Sequence, residues 1–243
     1  MYHYCDGQES KIECFNLYSK SLNESRELTI YFPMNFKLEN HYSVIFCTDG
    51  QFLNNEECKQ KLDSVFNIKN ASPLIIIGVN SNENKIPNSY FEYRNFEYCE
   101  NMMSEDSDLH YRFERHMIFF VKEVDDFIKE ELKLKTNFKY FYGVSNGAGF
   151  GISISKYYPV LFSKYILYSI ACENYKNLKF DLNKYPLFII RYGENEVKPL
   201  IKNNKKFSKY LSRKRYPHVI ESYNGGHERE NWLNLFIEDI KKL

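Results

Sequence analysis

The chain has 243 residues, the length of one large α/β domain, and no linker-like segment divides it, so we expect a single domain over 1–243. Apolar residues make up 43% and charged residues 27%, a balance that excludes disordered and fibrous classes. With 33 Lys and Arg against 32 Asp and Glu, the whole chain has no electrostatic reason to bind nucleic acid or an anionic membrane. We predict neither partner.

The N-terminal residues lack a basic start followed by an apolar run, and the longest apolar runs are only strand-sized. The six cysteines form no CxxC pair and have no His at zinc-finger spacing, which predicts free thiols. These features together predict a cytoplasmic protein.

Strand-like and helix-like segments alternate along the chain, which predicts an α/β fold with a mostly parallel central sheet and helices on both faces. In chain order we predict strands 12–17 and 27–32 as an antiparallel start, strand 43–47, helix 52–66, strand 74–79, an irregular surface stretch 80–108, helix 110–132, strand 138–144, helix 147–157, strands 164–169 and 187–192, helix 199–212, strand 217–222 and helix 230–242. Whether 80–108 acts as a lid stays open. The basic stretch 198–215 predicts a solvated helix face, with steering of an anionic ligand as the alternative.

A nucleophile elbow is predicted at Gly143–Gly147 (GVSNG), which lies directly between a strand and a helix. The sharp turn favours residues without side chains two positions before and after the nucleophile, and Gly143 and Gly147 meet this need. Ser145 is therefore the candidate nucleophile, and the Asn146 N–H, at the helix start, is a candidate oxyanion donor. The alternative is a glycine-rich turn in which Ser145 only caps the helix.

A serine nucleophile needs a general base and a group that orients this base. His227 follows two glycines in a loop before the last helix, whereas the other five histidines have positions typical of surface or packing roles. The orienting acid should follow strand 187–192, where Glu196 is preferred and Glu194 is the alternative. A second oxyanion donor is expected after strand 43–47, where we predict the Gln51 N–H, with Asp49 orienting the loop and Gly50 permitting a tight backbone.

Several stretches together resemble the putative esterase family of α/β-hydrolases, which includes enterochelin esterases and esterase D. They are Val44–Gln51 (VIFCTDGQ), Arg94–Tyr98 (RNFEY), Tyr142–Ser169, Tyr192–Glu196 (YGENE) and Gly225–Trp232 (GGHERENW). The resemblance implies an α/β-hydrolase domain with Ser145, Glu196 and His227 as its catalytic triad and Gln51 and Asn146 as oxyanion donors. It also implies that Arg94 lies near the pocket, where it pairs with Glu97 or contacts substrate. Asn146 stands where many members have Met, so substrate preference does not transfer.

The predicted function is hydrolysis of a small-molecule carboxylic ester through an acyl-enzyme, without metal or cofactor. An enterochelin-like siderophore ester is the narrower hypothesis, and an esterase D-like thioesterase or an acyltransferase is an alternative. A catalytically silent binding module on the same fold is the alternative from another class. The sequence does not predict the oligomeric state.

Overall fold

A computed structural model describes residues 9–66, 74–181 and 184–243. The chain divides into two compact units, each defined by its own dense internal contacts. The first contains Met1–Ser81, Ile118–Lys139 and Leu233–Leu243, and the second contains Asn82–Met117 and Tyr140–Trp232. The single domain over 1–243 stays a prediction.

The elements alternate between strands and helices over most of the chain. They are β1 (Lys11–Ser19), β2 (Glu24–Phe32), β3 (His41–Thr48), a 3-10 turn (Gly50–Leu53), α1 (Glu56–Phe66), β4 (Leu74–Val79), α2 (Tyr93–Tyr98), α3 (Ser107–His110), α4 (Arg112–Ile118), a π-helical turn (Phe119–Glu123), α5 (Val124–Asp126), a second π-helical turn (Phe127–Glu131), β5 (Lys135–Val144), α6 (Asn146–Tyr157), β6 (Lys164–Tyr168), β7 (Leu187–Gly193), α7 (Lys198–Lys214), β8 (His218–Tyr223) and α8 (Arg229–Ile240).

The first unit orders its strands β1-β2-β4-β3. β1 pairs antiparallel with β2, as the sequence predicts, and β2 pairs antiparallel with β4, while β3 and β4 run parallel. Every residue of β4 is buried, which is typical of a strand covered on both faces. Val44 and Ile45 of β3 and Ile75 and Ile76 of β4 are fully buried and supply part of this unit's core.

The second unit orders its strands β5-β6-β7-β8, and all three pairings are parallel. Parallel strands bring their carboxyl ends to one edge, and the turns that follow β5, β7 and β8 therefore start at that edge. These turns carry Ser145, Glu196 and His227 respectively. The topology thus places the three predicted residues at one edge of the sheet.

Three predictions about local structure are corrected. The stretch 80–108 is not irregular throughout, because it forms α2 and buries Ile86 and Phe96 in a small cluster with Leu109. Helix 110–132 is interrupted, and its two π-helical turns lie where neighbouring residues such as Phe119 and Phe120 are both buried.

The cysteines are not all free, because Cys99 and Cys172 form a disulfide with their Cα atoms 5.3 Å apart. These residues are 73 positions apart in sequence and lie in loops, so no spacing between cysteines in the sequence indicates that they pair. Among the described residues, Cys14, Cys47 and Cys58 are free thiols.

Candidate active site

Ser145 lies in a strained turn between β5 and α6, with φ 56° and ψ −122°. Two contacts fix this backbone. The Ser145 N–H donates to the Tyr168 carbonyl at 2.9 Å, and the Ser145 carbonyl accepts the N–H of Ala171 at 3.1 Å. A left-handed φ in a non-glycine residue persists only when surrounding structure enforces it, and it is typical of functional sites.

Close backbone contact requires a glycine at Gly143, the first residue of the turn. A Cβ atom on Gly143 would lie 2.5 Å from the Gly147 carbonyl oxygen, which is inside van der Waals contact. The chain folds back on itself so tightly that a side chain on Gly143 does not fit, which agrees with the reason predicted for this glycine. The same requirement at Gly147 stays a prediction.

His227 is within hydrogen-bond distance of both predicted partners. Its Nε2 lies 3.2 Å from Ser145 Oγ, and its Nδ1 lies 3.1 Å from Glu196 Oε1. An ionised carboxylate only accepts, so Nδ1 carries the hydrogen and Nε2 is left to accept the Ser145 proton. The His227 side chain is 39% exposed, whereas the Glu196 side chain is fully buried.

The geometry distinguishes between the two carboxylates that the sequence left open. Glu196 reaches the imidazole, while Glu194 is exposed and accepts a hydrogen bond from the Ser222 hydroxyl at 2.8 Å. The acid turn is tied to the histidine loop by a hydrogen bond from the Asn195 N–H to the Gly225 carbonyl, 2.9 Å long. A side chain on Gly193 would collide with the same carbonyl, so glycine permits the two loops to approach.

The two predicted oxyanion donors occupy helix starts. Asn146 is the first residue of α6, and Gln51 lies in the 3-10 turn after Asp49, which adopts a left-handed conformation. Gly50 packs against the backbone of Gly78, where any side chain would collide. The Gln51 side chain both donates to and accepts from Ser81, which holds the turn in place. Donation from either N–H to an oxyanion stays a prediction.

Arg94 stacks over the ring of Tyr98, with the guanidinium carbon 4.8 Å from the ring centroid. Glu97, one of its predicted partners, accepts hydrogen bonds from the buried Arg112 at 3.1 and 2.8 Å. The pairing of Arg94 with Glu97 stays a prediction. The role of Arg94 in substrate binding stays a prediction.

Trp232 and Tyr223 were not assigned a role from the sequence, although Trp232 lies within one of the stretches that resemble the esterase family. Trp232 packs edge-to-face against His227 with ring centroids 4.6 Å apart. Apart from that stretch, the sequence indicates Trp232 only through its position five residues after His227, in the first turn of α8.

Across the described ranges, no group of three or more His, Cys, Asp or Glu is arranged to hold a metal ion.

None of the helices in the described part of the chain is both long enough and apolar enough to span a membrane. The strand-and-helix pattern and the position of the turn that carries Ser145 define the α/β-hydrolase class. Residues 19–176 match the model of the Putative esterase family, and the chain therefore belongs to that family. The matched range includes Ser145 and ends before Glu196 and His227.

Solved structures agree with this fold over nearly the whole chain. A ferulic acid esterase is 18% identical with a TM-score of 0.75, over 97% of this chain and 98% of that one. A siderophore hydrolase, EstA from Aspergillus nidulans, is 13% identical with a TM-score of 0.72, over 95% and 94%. S-formylglutathione hydrolase from Staphylococcus aureus is 16% identical with a TM-score of 0.68, over 96% and 98%. No curated protein matches the sequence.

Proposed function

We propose that this member of the esterase family is a serine hydrolase that cleaves carboxylic esters through an acyl-enzyme on Ser145. The observation that carries the proposal is the continuous chain of contacts from Ser145 Oγ through the His227 ring to the buried Glu196 carboxylate. Without such a base, a serine hydroxyl is a poor nucleophile near neutral pH.

In the proposed reaction, Ser145 Oγ attacks the ester carbonyl carbon while its proton passes to His227 Nε2. The N–H of Asn146 and the predicted second donor, the Gln51 N–H, stabilise the oxyanion. Collapse of the intermediate breaks the bond to the alcohol, which leaves with the proton from Nε2. Water then attacks the acyl-enzyme by the same steps, and Glu196 stabilises the imidazolium each time.

For the substrate, the narrower proposal is a siderophore-type ester. The Aspergillus nidulans siderophore hydrolase shares the fold, and Arg94, which stacks over the buried ring of Tyr98, offers a positive charge to an acidic ligand. The second candidate is a glutathione thioester, which the fold shared with S-formylglutathione hydrolase favours. A panel of short and aryl esters, a ferric trilactone siderophore and S-formylglutathione, ranked by kcat/KM, discriminates between them.

The cytoplasmic location also stays a prediction. The Cys99–Cys172 bond counts against it, because disulfides persist mainly in oxidising compartments.

Labelling with a fluorophosphonate probe tests the mechanism. We expect wild-type protein and a Ser107→Ala control, which changes an exposed serine of α3, to be labelled. Ser145→Ala should not be labelled, and His227→Ala should be labelled at least about 100-fold more slowly, since general-base assistance is worth roughly 10²–10⁴ in rate. Folded wild-type protein that stays unlabelled would support the catalytically silent binding module instead.

A further inference from the structure

A large aromatic side chain, Trp232 in the first turn of α8, packs against the His227 ring. The two rings lie at 90° with centroids 4.6 Å apart, an edge-to-face arrangement that aromatic pairs prefer. Trp232 is the only tryptophan in the chain. Since the His227 side chain is 39% exposed, this contact supplies one wall to a ring that solvent reaches on other sides.

The indole is itself held by two hydroxyl groups. Its Nε1–H lies 2.9 Å from the Tyr223 hydroxyl and 3.1 Å from Ser169 Oγ, so that one donor is shared between two acceptors. Ser169 is fully buried, has a left-handed φ of 54°, and donates its backbone N–H to the Arg191 carbonyl at 2.8 Å. The anchor of the indole is therefore a fixed part of the sheet edge.

Tyr223 links the indole to the loop that contains His227. Its hydroxyl donates to the Gly226 carbonyl at 2.9 Å, one residue before His227. Burial raises the pKa of Tyr223, and the nearby Glu196 carboxylate adds to this effect, so the phenol keeps the proton that it donates. The Gly226 N–H also donates to the Glu228 carboxylate at 2.9 Å.

We propose that Trp232 is a positioning residue that fixes the orientation of the His227 imidazole, with Tyr223 and Ser169 as its anchor. The proposal rests on the proposed function. Rotation of the imidazole would move Nδ1 away from Glu196 and Nε2 away from Ser145 in the same step. The indole blocks one direction of this rotation, and its tether to the sheet edge keeps the indole from moving with the ring.

Three variants separate the parts of this device. Trp232→Leu removes the aromatic wall, and Trp232→Phe keeps a ring and removes the N–H tether. Tyr223→Phe removes the hydroxyl that accepts the indole N–H and donates to the Gly226 carbonyl. Tyr210→Phe is the matched control, since its hydroxyl also donates to a backbone carbonyl, that of Leu178 at 3.0 Å. The substrate is an activated aryl ester, and the number of competent sites is counted from the final extent of fluorophosphonate labelling.

We expect kcat per labelled site to fall about 100-fold in Trp232→Leu, because small misplacement of a catalytic group costs about this much. It should fall about 10-fold in Trp232→Phe and in Tyr223→Phe, with KM within about twofold, and stay unchanged in Tyr210→Phe. A merely structural role would lower the number of labelled sites and leave kcat per site intact, which would overturn the proposal. If Trp232→Leu does not fold, Trp232→Phe and Tyr223→Phe test the proposal in the same way, by whether kcat per labelled site falls. An inactive, unlabelled wild-type protein would instead contradict the proposed function itself.

Discussion

Ser145 shows how a single residue combines strain with chemistry. Its left-handed backbone costs about 1–3 kcal/mol, and it is retained because hydrogen bonds to Tyr168 and Ala171 hold both of its peptide groups. The same conformation raises the hydroxyl out of the turn toward His227 Nε2. A serine that only capped the helix would direct its hydroxyl to a backbone N–H of α6 and not to His227. The Ser145 side chain makes no such cap hydrogen bond.

The sequence could predict Ser145 and His227 because glycines mark the turns that carry them. It could not decide between Glu194 and Glu196, because both are glutamates in the same turn and nothing in the sequence shows which side chain points toward His227. What separates them is three-dimensional: the Asn195 hydrogen bond to the Gly225 carbonyl fixes the turn so that Glu196 points inward and Glu194 outward. The contact between His227 and Trp232 is likewise a property of the folded loop.

The choice of acid is tested by a pair of isosteric substitutions. Glu196→Gln should lower kcat roughly 10³–10⁴-fold, because an amide neither stabilises the imidazolium nor fixes the tautomer that leaves Nε2 as acceptor. Glu194→Gln, the matched control two residues away, should change kcat less than about threefold. Steady-state kinetics on an aryl ester checks both, and a larger loss in Glu194→Gln than in Glu196→Gln would reverse the assignment.

At the scale of elements, the stretch 80–108 was the hardest part to predict. Its polar composition conceals the buried Phe96 and Glu97, whose sequence neighbours show neither helical nor strand periodicity. Glu97 forms a buried ion pair with Arg112, which follows the stretch. Glu100, just after α2, accepts hydrogen bonds from Ser153 and Lys156 of α6, both 2.8 Å long. These contacts join the stretch to α6, the helix that follows Ser145.

The disulfide strengthens the same attachment. Cys99 follows α2 directly, and Cys172 is next to Ala171, whose N–H binds the Ser145 carbonyl. A Cβ on Gly149 of α6 would collide with the Ala171 carbonyl, so the Cys172 loop lies tightly against this helix. The bond therefore restrains a loop that supports the turn carrying Ser145.

Removal of this bond should lower the free energy of unfolding. The bond closes a span of 73 residues, and the loss of such a cross-link typically costs about 2–4 kcal/mol, mainly because the unfolded chain gains freedom. We expect this loss in Cys99→Ala/Cys172→Ala by denaturant unfolding, and none in Cys14→Ala, which changes an exposed free thiol. Reductant should destabilise the wild type and not the double variant. Equal stability of the wild type and the double variant would show that the bond does not contribute.

At the scale of the whole molecule, alternating strands and helices were enough to predict the α/β class. The order of strands was not predictable, because the sequence does not say beside which earlier strand a returning chain will pair. In the first unit β4 pairs with both β2 and β3, so spatial order departs from chain order. In the second unit spatial order follows chain order, and the loops after β5, β7 and β8 start at one edge because the strands are parallel.

The net charge of +1 conceals an uneven distribution. Eight of the 33 Lys and Arg residues lie at 198–215, a segment without Asp or Glu, which leaves 25 cations against 32 anions elsewhere. The lysines of α7 are exposed, as expected for a solvated helix face, and all of them except Lys214 line one open depression together with Ile201. The net charge therefore does not indicate how the protein attracts anions, because an approaching anion experiences the local field near α7 and not the net charge of the whole chain.

Cation-exchange chromatography tests this distribution. Replacing Lys202, Lys206 and Lys209 with Gln removes three charges from one face of α7, because their spacings of three and four place them on the same side. Replacing the exposed Lys20, Lys122 and Lys135 with Gln removes three charges from separate places. The two variants have identical net charge, yet the α7 variant should elute at distinctly lower salt, since screening acts within about 10 Å at 0.1 M salt and binding depends on clustered charge. Coincident elution of the two variants would show that α7 contributes no more than its share of the total charge.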